Sequence, residues 1–195
     1  MNLKEHAKRD DMKVWLSEPK VERLLAKPTK TQRRIGSALA ASCGLRSLEI
    51  LQVAPEDVVD TDAWTMLRIW EGKGDQFRET PMPTDLAASI GAIDDYRDAP
   101  LSTSLVEISS TRSLRRWIDD ATAQLARETG DDGWRYLSMH DLRRTWATSL
   151  SDANVDPLLA LEWGGWNDLE TFLDHYKGPF SPEAQARERE KVDWL

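Results

Sequence analysis

Between residues 57 and 82 the sequence changes its period, and this change excludes most folds open to a chain of its length. On either side, apolar residues recur every three or four positions, as in helices with one buried face. Inside the stretch, Asp57 to Asp60, Ala63 to Trp70 and Phe77 to Met82 read as extended strands. Glu71-Gly72-Lys73-Gly74-Asp75 separates the last two and is rich in residues that accept turn geometry. The expectation is a β-hairpin or small three-stranded sheet set into a helical domain. The fold class is mainly α with a small antiparallel β-sheet, an α+β fold.

The helices are marked by their ends. Ser17, Glu18 and Pro19 open one that stops near Pro28, because Ser caps and Pro fits the first turn. Thr31 to Cys43 carries Ile35, Leu39 and Ala40 at helical spacing, and Gly44 breaks it. Arg46 to Val53 reads as a third helix. Pro83 and Thr84 open another that runs to about Tyr96, and Ser110 to Glu128 is long and ends at Gly130. Met139–Ala153, Pro157–Trp163, Leu169–Tyr176 and Pro182–Val192 complete a helical second half. Residues 1–16 read as a frayed or helical lead-in, or a remnant linker, before one domain over 17–195 that includes a C-terminal helix at 182–195.

The chain has 195 residues, enough to bury about 70% of the surface its unfolded form exposes. Cys43 is its only cysteine, so no intrachain disulfide can form. The first residues are charged and lack the apolar core of a signal peptide, and no run is apolar enough to span a membrane. The expectation is a cytoplasmic protein without a membrane partner. Net charge is −8, which argues at first sight against binding nucleic acid. The acids, however, gather in segments such as 93–98 and 183–190, and arginine is preferred to lysine. That composition suits a very salty cytoplasm, where a Debye length of about 3 Å at ~1 M salt hides distant acids from a phosphate backbone.

Five places hold residues suited to one chemistry, and each also admits a plain structural reading. Gly44 permits a sharp turn into Arg46, which then stands at a helix start where N–H groups and dipole already attract anions. Its guanidinium adds a two-pronged phosphate grip, and Glu49 on the same side can orient it. Lys73 sits between two glycines at a turn tip, and can reach into a groove or simply be solvated. His140 and Arg143 lie one helical turn apart, which suits proton handling beside a phosphate. Trp166 follows Gly164 and Gly165; its indole N–H donates but cannot shuttle protons. Tyr176 ends a short helix whose apolar face is Phe172 and Leu173, a place where tyrosines usually pack. Arg78, on the returning strand, is a weaker candidate. No pair of the three histidines and one cysteine has metal-ligand spacing, and no phosphate-binding glycine loop is present, so neither metal nor cofactor is expected.

In this order, GLRSLEI at 44–50, the GKG hairpin at 72–74, HDLRRT at 140–145 and GGWNDLETFLDHY at 164–176 resemble the catalytic domain of the tyrosine recombinase (phage integrase) family. The resemblance covers about residues 17–180 and is similar to archaeal-type integrases. It implies a site-specific recombinase or integrase of a mobile element. Tyr176 would attack a scissile phosphate and leave a 3′-phosphotyrosyl link with a free 5′-hydroxyl. Arg46 and Arg143 would stabilise the phosphorus charge, Lys73 would protonate the leaving oxygen, and His140 would take or relay the tyrosine proton. Trp166 would hold a phosphate oxygen, and Glu49 would support from behind. The partner would be double-stranded DNA, bound as a multimer, a tetramer, with the terminal helix docking on a neighbour. Trp166 to Tyr176 is one residue longer than the commonest family spacing, and the usual N-terminal DNA-clamping domain would be missing or reduced to residues 1–16. A type IB topoisomerase-like activity shares the chemistry, and a catalytically silent DNA-binding protein shares the fold. The short chain and the His-Asp-Leu-Arg text favour the recombinase over the first, and the intact residue set favours it over the second.

Overall fold

The computed structural model describes residues 1–5, 12–70, 77–175, 178–192 and 194. Two antiparallel strands come first: β1 (Asn2–Glu5) and β2 (Met12–Trp15), with Leu3 opposite Val14. This corrects the expected helical or frayed lead-in. Its physical cause lies in β2, whose Val14 and Trp15 are buried, as is Leu16 beyond it. These apolar residues dock the strand, and its backbone is tied to the helix that carries His140. Val14 N–H donates to Asp141 Oδ1 at 3.2 Å and Leu16 N–H to Thr145 Oγ1 at 3.1 Å.

Helices α1 (Glu18–Leu25), α2 (Thr31–Ser42) and the single turn α3 (Ser47–Ile50) follow. Then come β3 (Val58–Asp60), β4 (Thr65–Ile69) and β5 (Arg78–Pro81), all antiparallel in that spatial order. Pairing runs Val58 with Leu67 and Leu67 with Thr80. The expected inserted sheet is therefore present. At its end, the Trp70 and Phe77 rings pack 5.1 Å apart, and Trp70 Nε1–H donates to Asp57 Oδ1 at 2.7 Å. Helices α4 (Thr84–Asp94), α5 (Thr111–Thr129), α6 (Met139–Asp152), α7 (Pro157–Gly164), α8 (Leu169–His175) and α9 (Pro182–Arg189) complete the described chain. Gly130 takes a left-handed conformation (φ 67°) and stops α5.

The main core gathers around α2, whose Ile35 and Leu39 share one buried cluster with Leu24, Ile50, Leu67, Ile90, Leu114, Ile118 and Leu142. A second cluster joins α6, α7 and α8 through Trp146, Ala160, Leu161, Trp166 and Phe172. On α6, Arg143 lies between Leu142 of the first cluster and Trp146 of the second. Helix α9 folds back on its own domain: Ala184 is buried, and Arg187 Nη2–H donates to the Asp152 carbonyl at 2.6 Å. Among the described residues no helix is long and apolar enough to cross a membrane. Cys43 is buried, which pushes its thiol up to about 12.

Candidate active site

Local chain geometry fixes where each functional side chain stands. Gly44 has φ +66°, and a Cβ there would lie 2.2 Å from the Trp146 ring. Glycine is thus required both by conformation and by space. The turn delivers Arg46 to the N-cap of α3, where its N–H donates to Glu49 Oε2 at 2.7 Å and its Nη1–H to Glu49 Oε1 at 2.8 Å. Glu49 thus touches Arg46 through both carboxylate oxygens.

Glu49 has a second partner that sequence reasoning ranked low. Arg78, on β5, bridges both Glu49 oxygens at 2.8 and 2.7 Å and is itself buried. Burial alone would raise the Glu49 pKa. The Arg78 bridge overrides it, Arg46 adds to the effect, and the carboxyl falls to about 2. The sequence signal for Arg78 is its phase: period-two alternation puts it on the inner face with Thr80, while Phe77 points out.

The C-terminal turn of α7 is the hub of the site. Gly165 is left-handed (φ 60°), and Trp166 N–H closes the turn on the Leu161 carbonyl at 3.1 Å. The next carbonyls face outward to three arginines. Trp163 O accepts from Arg78 Nε–H at 3.1 Å, and Gly165 O accepts from Arg46 Nη2–H at 2.9 Å. Gly164 O accepts from Arg143 Nη2–H, while Arg143 Nη1–H reaches the Gly44 carbonyl. Cations are stabilised at a helix C-terminus, each by roughly 0.3–1 kcal/mol at exposed sites.

Arg143 is fully buried, and its guanidinium stands 4.5 Å from the centroid of the Trp166 ring. Trp166 is buried too, between Trp146 and Phe172 at 5.9 and 4.9 Å. Arg144 turns away and pairs with Asp141. Asp141 also accepts Ser138 N–H and O–H at 2.9 and 2.6 Å, which caps α6 and fixes His140 in its first turn.

His140 is held neutral. Crowding by surrounding protein is the largest cause, followed by the charges of Arg144, Arg143, Arg46 and Lys13, and together they lower its pKa to about 4. The side chain is nonetheless solvent-exposed, so water screens part of this, and the ring is mostly neutral at pH 7 even at its ordinary value of 6.5.

The structure thus brings together Arg46, Glu49, His140, Arg143 and Trp166. Lys73 and Tyr176 lie outside the described residues. Gly178, two positions beyond Tyr176, donates its N–H to Thr148 Oγ1 at 2.7 Å on α6. A Cβ on Gly178 would meet the Trp15 ring at 2.7 Å, so strand β2 abuts Gly178. Among the described residues no group of three or more His, Cys, Asp or Glu is placed to hold a metal ion.

Such a domain, helical with two small antiparallel sheets and a cluster of arginines at a helix end, matches the model of the phage integrase family over residues 14–180. The chain belongs to that family, the tyrosine recombinases. Its fold is shared with the XerA recombinase (22% identity, TM-score 0.72, covering 92% of this chain and 65% of that one). It is likewise shared with the XerH site-specific recombinase bound to its palindromic difH substrate (20%, TM-score 0.70, 92% and 52%). The Tn1549 transposon integrase in complex with transposon right end DNA is a third (14%, TM-score 0.69, 92% and 66%). The chain spans between half and two thirds of the length of these structures. Among curated proteins none matches the sequence.

Proposed function

We propose that the chain cleaves and rejoins double-stranded DNA at a specific site through a 3′-phosphotyrosyl bond to Tyr176. The observation that carries this reading is the convergence of Arg46 and Arg143 on the last turn of α7, with His140 one turn from Arg143. Two guanidiniums held by fixed acceptors form a preorganised anion site, the arrangement that stabilises charge developing on phosphorus. Membership of the integrase family supports it, as do the substrates in the structures of XerH and the Tn1549 integrase.

The Tyr176 oxygen attacks phosphorus, and the bond to the 5′-oxygen breaks. Neutral His140 accepts the phenol proton, which a charged imidazolium could not do. Lys73 donates a proton to the departing 5′-oxygen. Trp166 offers its indole N–H to a phosphate oxygen, while its ring floors Arg143. The phosphodiester energy is kept in the covalent link, so the 5′-hydroxyl can reverse the step without ATP, metal or cofactor. On DNA the chain works as a multimer, a tetramer, because exchange of two duplexes needs four such cuts.

A nicked suicide duplex tests the proposal. It loses its 5′-hydroxyl fragment on cleavage and should leave a covalent protein–DNA adduct. The adduct should vanish in Tyr176→Phe. Footprinting of a bound site without any adduct would leave a DNA-binding protein and end the catalytic reading.

A further inference from the structure

We infer that Arg78 is a positioning residue for the cleavage proposed above, acting through Glu49 and the α7 turn to hold Arg46 in its phosphate-binding pose. The inference rests on that reading for its chemistry, but its geometry stands on its own contacts.

Four N–H groups surround the Glu49 carboxylate, two from Arg46 and two from Arg78. Glu49 is 2% exposed, so water cannot replace a lost donor. Arg46, by contrast, keeps about a fifth of its side chain open. The partly open arginine faces the site, and the closed one lies behind it. Arg78 also fixes the other anchor of Arg46. Its Nε–H holds the Trp163 carbonyl, and its Cδ lies 2.9 Å from where a Gly165 Cβ would be. Gly165 is the residue whose carbonyl accepts from Arg46. Both acceptors of the Arg46 guanidinium are therefore seated on Arg78. A lysine at 78 keeps the charge but cannot bridge two oxygens and a carbonyl together, because an ammonium is a single point while a guanidinium is a planar fork.

The test uses the full chain with Arg78→Met, Arg78→Lys and a control, Arg68→Met, which breaks the solvent-accessible Arg68–Glu79 pair on the same sheet. Nitrogen-15 NMR of guanidinium groups reads the pose directly. Arg46 should show slow rotation of its Nη groups in the parent and in Arg68→Met, and fast rotation in both Arg78 variants. Single-turnover cleavage at saturating DNA should fall on the order of 100-fold in both, the cost of a misplaced charge-stabilising group, with duplex affinity changed less than about threefold. The fall should be equally large on a duplex whose 5′-bridging oxygen is replaced by sulfur. A thiolate leaves without a proton, so this substrate is blind to defects in leaving-group protonation.

Unchanged Arg46 rotation in Arg78→Met, or cleavage at the parent rate, overturns the inference. So does a defect that disappears with the sulfur substrate, which would place Arg78 behind the leaving group instead. If Arg78→Met does not fold, Arg78→Lys answers the same questions. If the parent forms no adduct, the proposed function fails, and the Arg46 rotation alone decides whether Arg78 positions it.

Discussion

The Arg143 guanidinium stands over the Trp166 ring with its carbon 4.5 Å from the indole centroid and both of its arms on backbone carbonyls. The indole is therefore a floor for a buried cation as well as a core side chain. Trp166→Phe keeps a ring and should cost under about 1.5 kcal/mol of stability, whereas Trp166→Ala opens a cavity and should cost about 3–5 kcal/mol. Urea melts measure both. Adduct formation by the folded fraction should fall further in the alanine variant than in the phenylalanine variant.

Gly44 sits at φ +66° against the Trp146 ring, and its carbonyl holds Arg143. Gly44→Ala should destabilise the chain by about 2–5 kcal/mol, combining left-handed strain with overpacking. The loss should appear as a lower denaturant midpoint at unchanged slope.

Two titrations should shape acid stability, in separate windows. His140 has its folded pKa lowered from 6.5 to about 4, so the unfolded chain binds the proton more readily. Its contribution is whole above pH 6.5 and is lost as pH falls toward 4. Glu49 drops from 4.5 to about 2, so its contribution is whole above 4.5 and is lost as pH falls toward 2. His140→Gln should flatten the first limb of a stability–pH curve and leave the second. A first limb unaltered by the substitution would rule out His140 as its source.

Gly178→Ala should place a methyl group against the Trp15 indole. The global melt should shift by about 1–3 kcal/mol, as for other overpacked sites. Adduct formation by the folded protein should drop more than that shift explains, since the displaced segment begins two residues after Tyr176. Trp15→Leu in the same chain should restore part of the rate by making room.

Much of this organisation was legible in the chain itself. Capping and breaking residues placed α1, α2, α5 and α7 within a few positions, because Pro19, Gly44, Gly130 and Pro157 act through local backbone rules. Arg46 with Glu49, and His140 with Arg143, were visible because partners one turn apart share a helix face. The N-terminal hairpin was not. Val14, Trp15 and Leu16 are all buried, so β2 shows no alternation, and its register is set by α6, far off in sequence. Arg78 was undervalued for a similar reason. A charged residue on an inward strand position looks like surface until its partner, 29 residues earlier, is known. The α7 carbonyls are invisible in any sequence, since backbone atoms carry no letter.

Backbone acceptors let such a site endure substitution over time. Arg143 is anchored by the carbonyls of Gly44 and Gly164, and Arg46 in part by that of Gly165. No replacement of a neighbouring side chain can delete a carbonyl. Nor does a carbonyl cancel the charge it holds, as a carboxylate would. The surface of this acidic chain is therefore at liberty to drift, gaining or shedding acids, while these guanidiniums keep their places so long as the glycine turns survive.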